Sequence, residues 1–146
     1  MPETYSKTFH VRWGDMDFNA HMRNTAYLDV SGDVRMLFFD EHGFSMREFE
    51  RLRVGPVILR DDLEYFRELR LLETMTVTLA VAARNESGSR FRLRNEFWNA
   101  QSKLAARVTS TGGWLDLDAR KLRAAPEALV AVLELLPRTD DFESLK

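Results

Sequence analysis

The sequence contains no cysteine among its 146 residues. That single absence excludes disulfides, thiolate metal ligands and a cysteine nucleophile, and it suits a reducing compartment such as the cytoplasm. An excess of charge of one sign is lacking too. A net charge of −2 provides no basic field for nucleic acid, and the arginine-rich stretches are short and interleaved with apolar residues. No apolar run approaches the roughly 20 residues of a membrane-spanning helix. Residues Met1 to Thr8 are polar, unlike the start of a secretory signal. There is no G-x-S-x-G elbow, no phosphate-binding loop and no dinucleotide fingerprint. His10, His21 and His42 never fall four residues apart, which rules out a helix-borne zinc pair. These gaps predict a soluble cytoplasmic protein with no membrane or nucleic-acid partner, no metal and no cofactor of its own.

The 45% hydrophobic content can build one core, and the length suits one domain over residues 1–146. Its body is expected at about 5–118. Phe9, Val11 and Trp13 alternate with His10 and Arg12, the mark of a short strand. Tyr27, Val30, Val34, Leu37 and Phe38 then recur at helical steps, with Leu28 and Phe39 widening the face. Asn24 or Thr25 can cap this helix, and Gly43 offers a left-handed exit near His42. Gly32 lowers the helix propensity by roughly 1 kcal/mol against Ala, which a close packing contact would explain. Ser45 to Arg51 predicts a further helical turn or two.

Beyond Gly55-Pro56 the period changes to two. Val57 to Phe66 reads as a long strand disturbed near Asp61-Asp62. In the strand Leu72 to Ala83, Met75, Val77, Leu79 and Val81 oppose Thr74, Thr76, Thr78 and Ala80. Phe91, Leu93 and Phe97 alternate with Arg90, Arg92, Arg94 and Glu96. Lys103 to Leu117 forms the last strand, with a bend permitted at Gly112-Gly113. Pro126 opens a short helix that Pro137 stops, and the tail from Arg138 is expected to fray. One long helix beside about five antiparallel strands is an α+β layer design, the sheet wrapping the helix. One helix cannot cover the inner face of such a sheet, so a second copy is expected at its edge.

Chemistry concentrates in Trp13 to Leu28. Two carboxylates, a histidine and two asparagines lie between a strand and a helix start, where free backbone N–H groups and the positive dipole end converge. A carboxylate beside such donors suits attack on, or activation of water against, a carbonyl carbon.

This segment resembles the signature of the hotdog-fold acyl-CoA thioesterases of the 4-hydroxybenzoyl-CoA thioesterase type. Arg12, Asp15-Met16-Asp17, Ala20-His21, Asn24 and Tyr27-Leu28 stand at the family's spacing, and the strand order extends the likeness to about Leu117. The resemblance implies a hotdog fold and hydrolysis of a fatty or aromatic acyl-CoA by a homodimer or a tetramer built from it. Asp17 would be the nucleophile or general base, with His21 as its catalytic neighbour. Asn19, Ala20, Asn24 and Tyr27 would contact substrate, and backbone N–H groups from Ala20-His21 to Asn24 would polarise the carbonyl. The acyl chain would enter between the helix and the partner subunit.

One position departs from the pattern: Ala20 stands where the family usually has Gly. If it needs φ > 0, Ala carries roughly 1–2 kcal/mol of steric cost. Local roles compete with catalytic ones at each position. Asp17 could cap the next turn, and Asp15 is expected to hold the loop by bonding backbone. His21 could orient the carboxylate or merely bond a carbonyl. Asn24 is expected to cap the helix, and Tyr27 to pack in the core. Trp13, Phe18, Phe38 and Phe39 could line an acyl pocket or the core. Arg60, Arg67, Arg70, Arg90, Arg92 and Arg94 could meet the phosphates of CoA or only solvate the sheet. The rival functions are a non-catalytic hotdog protein binding acyl-CoA or acyl carrier protein, and a hotdog hydratase, whose usual Asp–His spacing is one residue longer than Asp17 to His21.

Overall fold

The computed structural model describes residues 4–146. The chain runs β1 (Tyr5–His10), a 3₁₀ turn (Trp13–Asp15), α1 (Ala26–Glu41), α2 (Met46–Leu52), β2 (Val54–Tyr65), β3 (Thr74–Asn85), β4 (Arg90–Trp98), β5 (Leu104–Asp116), β6 (Lys121–Arg123), α3 (Glu127–Leu133) and β7 (Arg138–Leu145). The main path of the sheet is β1-β3-β4-β5-β2, all antiparallel. This is the expected α+β layering of one sheet around one long helix.

Seven strands replace the five expected. β1 pairs with β3 over Thr74–Leu79, and β7 then takes the same edge of β3, in parallel, near Val81–Asn85. β6 pairs with the end of β5, past the reach of β4. The tail from Arg138 is therefore an ordered strand. Its alternation is weak because both faces carry charge. What holds it is pairing with β3 and ion pairs to β4: Arg94 grips Asp141 at 2.9 and 3.1 Å, and Arg92 meets Glu143 at 2.5 Å.

In β3 and β4, Met75, Val77, Leu79, Val81, Phe91, Leu93 and Phe97 face the core, as period two requires. Asn95 shares that face, fully buried, and donates from its side-chain amide to the Thr78 carbonyl at 3.0 Å. α1 lays Tyr27, Val30, Val34, Phe38 and Phe39 on the sheet, together with Ala26 and Ser31. Leu37, assigned to that face by spacing, is instead exposed beside Met36. Trp114 closes the far end of the core, with ring centroids 5.2–6.0 Å from Phe39, Phe49 and Phe91.

The disturbance in β2 falls at Leu59, between Ile58 and Arg60, two residues before the expected place. Gly112 lies opposite: a Cβ there would come within 2.0 Å of the Val57 carbonyl oxygen. Only glycine lets the bulged strand approach so closely. Gly32 has no such contact, since a Cβ would meet nothing nearer than Arg35 at 4.0 Å. The expected packing reason for Gly32 is absent among the described residues. α1 ends at Glu41, and Gly43 follows at φ 91°, the left-handed exit that glycine permits.

Candidate active site

The strand expected to reach Trp13 stops at His10, and the chain from Val11 to Thr25 forms a loop pinned from beneath. Val11 and Met22 are buried and exchange backbone hydrogen bonds with the β2–β3 connection: Val11 N–H to Glu73 O at 3.0 Å, Leu72 N–H to Val11 O at 2.8 Å and Met22 N–H to Leu69 O at 2.7 Å. Asp15 is 1% exposed. It accepts from the Arg12 backbone N–H at 3.0 Å and from the Arg12 guanidinium at 3.1 and 3.0 Å. Those bonds hold its carboxyl below the usual range, against the opposing effect of burial. Asp15 thus holds the loop, as expected of it. Trp13, placed by alternation with Phe9 and Val11, points the other way and is 80% exposed, because the 3₁₀ turn reverses the pleat.

At the loop tip the backbone closes on itself. Met16 bridges to Met22, and Asp17 N–H donates to His21 O at 2.9 Å. Asp17 Oδ1 accepts from the N–H of Asn19 at 2.8 Å and of His21 at 3.3 Å. Asp17 Oδ2 lies 3.2 Å from His21 Nδ1, which is also 3.2 Å from the Met22 carbonyl. The tip turns at Ala20, whose φ is 68°. The left-handed geometry that the usual Gly would supply is therefore adopted by Ala, at a steric cost of roughly 1–2 kcal/mol.

An open cleft of about 560 Å³ lies against this tip, lined by Asp17, Asn19, His21, Met22, Asn24, Tyr27, Tyr65, Phe66, Arg67 and Glu68. Ala20 faces a second hollow on the other side of Asp17, with Trp13, Met16, Phe18, Arg70 and Leu71. Asp17 borders both hollows. Tyr27 forms the floor, its ring edge-on to Tyr65 at 5.4 Å and to Phe97 at 5.0 Å. Burial pushes its hydroxyl pKa up to about 12, so it stays protonated at neutral pH. Phe38 and Phe39 are core, whereas Phe18 is fully exposed.

Asn24 does not cap α1. The cap position is Thr25, whose side chain makes no capping bond, and the Asn24 carbonyl accepts from Tyr65 Oη at 2.9 Å. The expected set of backbone donors is also narrower. His21 N–H is spent on Asp17, Met22 N–H on Leu69 and Arg23 N–H on Asp15. Among the described residues, the N–H groups of Ala20, Asn24 and Thr25 have no hydrogen-bond partner.

Tyr65, Phe66 and Glu68 border the cleft without having been singled out for it. Their signal is the pair of adjacent aromatics that breaks alternation at the end of β2. Of the arginines considered for phosphates, Arg67 lines the cleft but donates to the Leu104 carbonyl at 2.8 Å, and Arg70 borders the second hollow. Arg92 and Arg94 are tied to β7. Among the described residues, no cluster of three or more His, Asp or Glu could hold a metal ion, and no helix is long and apolar enough to cross a membrane.

A single sheet wrapped on a long helix, with a carboxylate-bearing loop at that helix's start, defines a hotdog protein of the thioesterase kind. The model of the thioesterase-like superfamily matches residues 11–133, and the chain belongs to that superfamily. No curated protein matches the sequence. Similar solved structures include the hypothetical protein SAV2348 from Staphylococcus aureus in complex with CoA, at 24% identity and TM-score 0.83 over 94% of this chain and 88% of that one. The 1,4-dihydroxy-2-naphthoyl-CoA thioesterase Slr0204 from Synechocystis aligns at 16% identity and TM-score 0.79, over 90% and 96% of the two chains. The DHNA-CoA thioesterase from Staphylococcus aureus aligns at 17% identity and TM-score 0.78, over 90% and 92%.

Proposed function

We propose that this protein hydrolyses acyl-CoA thioesters, with Asp17 as nucleophile or general base. The observation that carries the proposal is the exposure of a tethered carboxylate to an open cleft beside unspent helix-start donors. Asp17 Oδ1 is held by two backbone N–H groups, so the carboxylate is oriented before substrate arrives. Orientation of that kind lowers the barrier by removing the cost of positioning at the moment of reaction. Oδ2, beside His21, either attacks the thioester carbonyl or takes a proton from the attacking water. The free N–H groups of Asn24 and Thr25, at the positive end of α1, suit the developing oxyanion. Asn19 and Tyr27 would contact the substrate from the rim and floor. The CoA thiolate leaves without a strong general acid.

The site is proposed to work in a homodimer. β2 ends the sheet, and its outer edge has no strand partner among the described residues. Leu59 on that strand, and Met36 and Leu37 on α1, are exposed. Such an edge invites pairing with a second copy, and Tyr65, where β2 ends, would bring that partner to the cleft.

One observation favours a non-catalytic acyl-CoA-binding protein instead. Both oxygens of Asp17 have neighbours within its own loop, Oδ1 the N–H groups of Asn19 and His21 and Oδ2 the His21 ring, as those of a structural staple would. Thiol release from a panel of short, long, branched and aromatic acyl-CoAs separates the two. Asp17→Asn is expected to lose at least about 100-fold in kcat, equivalent to about 2.7 kcal/mol, in a protein running at twice the 17.0 kDa chain mass. Binding of acyl-CoA without turnover by the native protein would establish the second function. Equal turnover by Asp17→Asn would remove Asp17 from the chemistry.

A further inference from the structure

At the opposite end of the sheet from Asp17, a separate apolar cavity of about 350 Å³ opens under the C-terminal elements. Its floor is Val81, Phe91, Leu93 and Leu136, all buried, and its walls include Leu133 of α3 and Phe142 of β7. The cavity exists because β7 takes the edge of β3: Val81 N–H donates to the Pro137 carbonyl at 2.9 Å, and Val81 pairs with Arg138. β7 lies beyond the residues 11–133 that the superfamily model matches.

Two arginines stand at the mouth. Arg84 is neutralised by Glu134 at 2.7 Å. Arg138 has no carboxylate partner among the described residues, and its guanidinium sits 4.1 Å from the centroid of the Phe142 ring. A mainly apolar hollow with one unneutralised cation among its lining residues matches a molecule with an apolar tail and one terminal anion. A dry apolar cavity of about 150 Å³ accommodates benzene, so this one suits a tail of about ten carbons. A planar guanidinium binds a carboxylate through two parallel hydrogen bonds. We propose that this cavity binds a medium-chain fatty acid, tail inward, with its carboxylate on Arg138.

The proposal stands apart from the acyl-CoA reading, since it invokes no residue of the Asp17 cleft. Calorimetric titration with decanoate below its micellar range tests it. Native protein and Asp17→Asn should bind one decanoate per chain with equal affinity. Arg138→Gln, a change at an exposed residue, should weaken binding about tenfold or more, while decanol should bind both proteins equally. Leu133→Trp, which fills the slot, should abolish binding. No saturable binding to the native protein would overturn the proposal. So would unchanged affinity in Arg138→Gln and Leu133→Trp. If Leu133→Trp fails to fold, Arg138→Gln and the decanol comparison decide alone.

Discussion

Phe97 and Phe18 are the same residue type in opposite settings. Phe97 is fully buried on the inner face of β4, edge-on to Tyr27, with neighbours from α1 and two strands. Phe18 stands in water at the tip of the Asp17 loop, a few residues from the exposed Trp13. The sheet interior is built by repeated small decisions, each apolar side chain agreeing with the pleat and with its cross-strand neighbours. The loop is built by polar exceptions: Arg12 wrapped on Asp15, Asp17 folded onto its own backbone, and Ala20 in a left-handed conformation. The first region supplies stability. The second draws on it to hold polar groups in the open.

Truncation at the two positions should separate them most strongly. Phe97→Ala is expected to cost about 3–5 kcal/mol, read as a lower urea midpoint at an unchanged slope. Phe18→Ala should stay within about 0.5 kcal/mol, as exposed positions do. A large cost at Phe18 would break the contrast. It would mean that a second copy covers the loop tip, and the cost would then fall with dilution of the protein.

The same contrast explains what the sequence disclosed. β3 and β4 were legible because Met75 to Val81 and Phe91 to Phe97 alternate without interruption, and burial in a one-sided sheet leaves no other option. Most of the cleft was legible from the resemblance to the family signature, since Asp17, His21, Asn24 and Tyr27 converge on one hollow with Asn19. Alternation failed at Trp13: the strand stops three residues short, at His10, and a 3₁₀ turn takes Trp13 to Asp15, a backbone event no side-chain pattern encodes. It failed again at β7, whose order comes from pairing with β3 and from Arg92 and Arg94 on another strand. Asn24 as a cap was a sound local inference. It failed because the helix starts one residue later, with Thr25 at the cap position and no side-chain capping bond.

Within the loop, Asp15 should carry the larger stability effect. Its carboxyl pKa in the folded protein lies below the unfolded value, chiefly through the Arg12 guanidinium. The contribution is therefore fully present above the unfolded pKa near 3.9 and is lost as pH falls through the folded one. Asp15→Asn is expected to destabilise by about 1–2 kcal/mol at pH 7, the usual worth of hydrogen bonds to a buried charged acceptor. The gap from the native protein should begin to narrow below about pH 4, where the unfolded carboxyl protonates, and close once pH falls below the lowered folded pKa. Urea unfolding of both proteins across that range checks it. A gap that persists undiminished at pH 3 would show that shape, not charge, is what Asp15 provides.

The smallest expected effect concerns Ala20, where the two regions differ in kind and not only in degree. In the sheet a glycine is needed because a neighbour leaves no room, as the Val57 carbonyl does at Gly112. At Ala20 the demand is conformational: φ is 68° and the side chain is exposed. Ala20→Gly should therefore stabilise the protein by about 1 kcal/mol, the relieved left-handed strain exceeding the entropy that glycine adds to the unfolded chain. Thermal unfolding measures it. Loss of stability would mean that the bonds from Asn19 and His21 to Asp17 already absorb the strain. In that case the alanine contributes by limiting the freedom of the loop before folding, and the carboxylate it helps to aim would be held by rigidity of the chain as much as by its own hydrogen bonds.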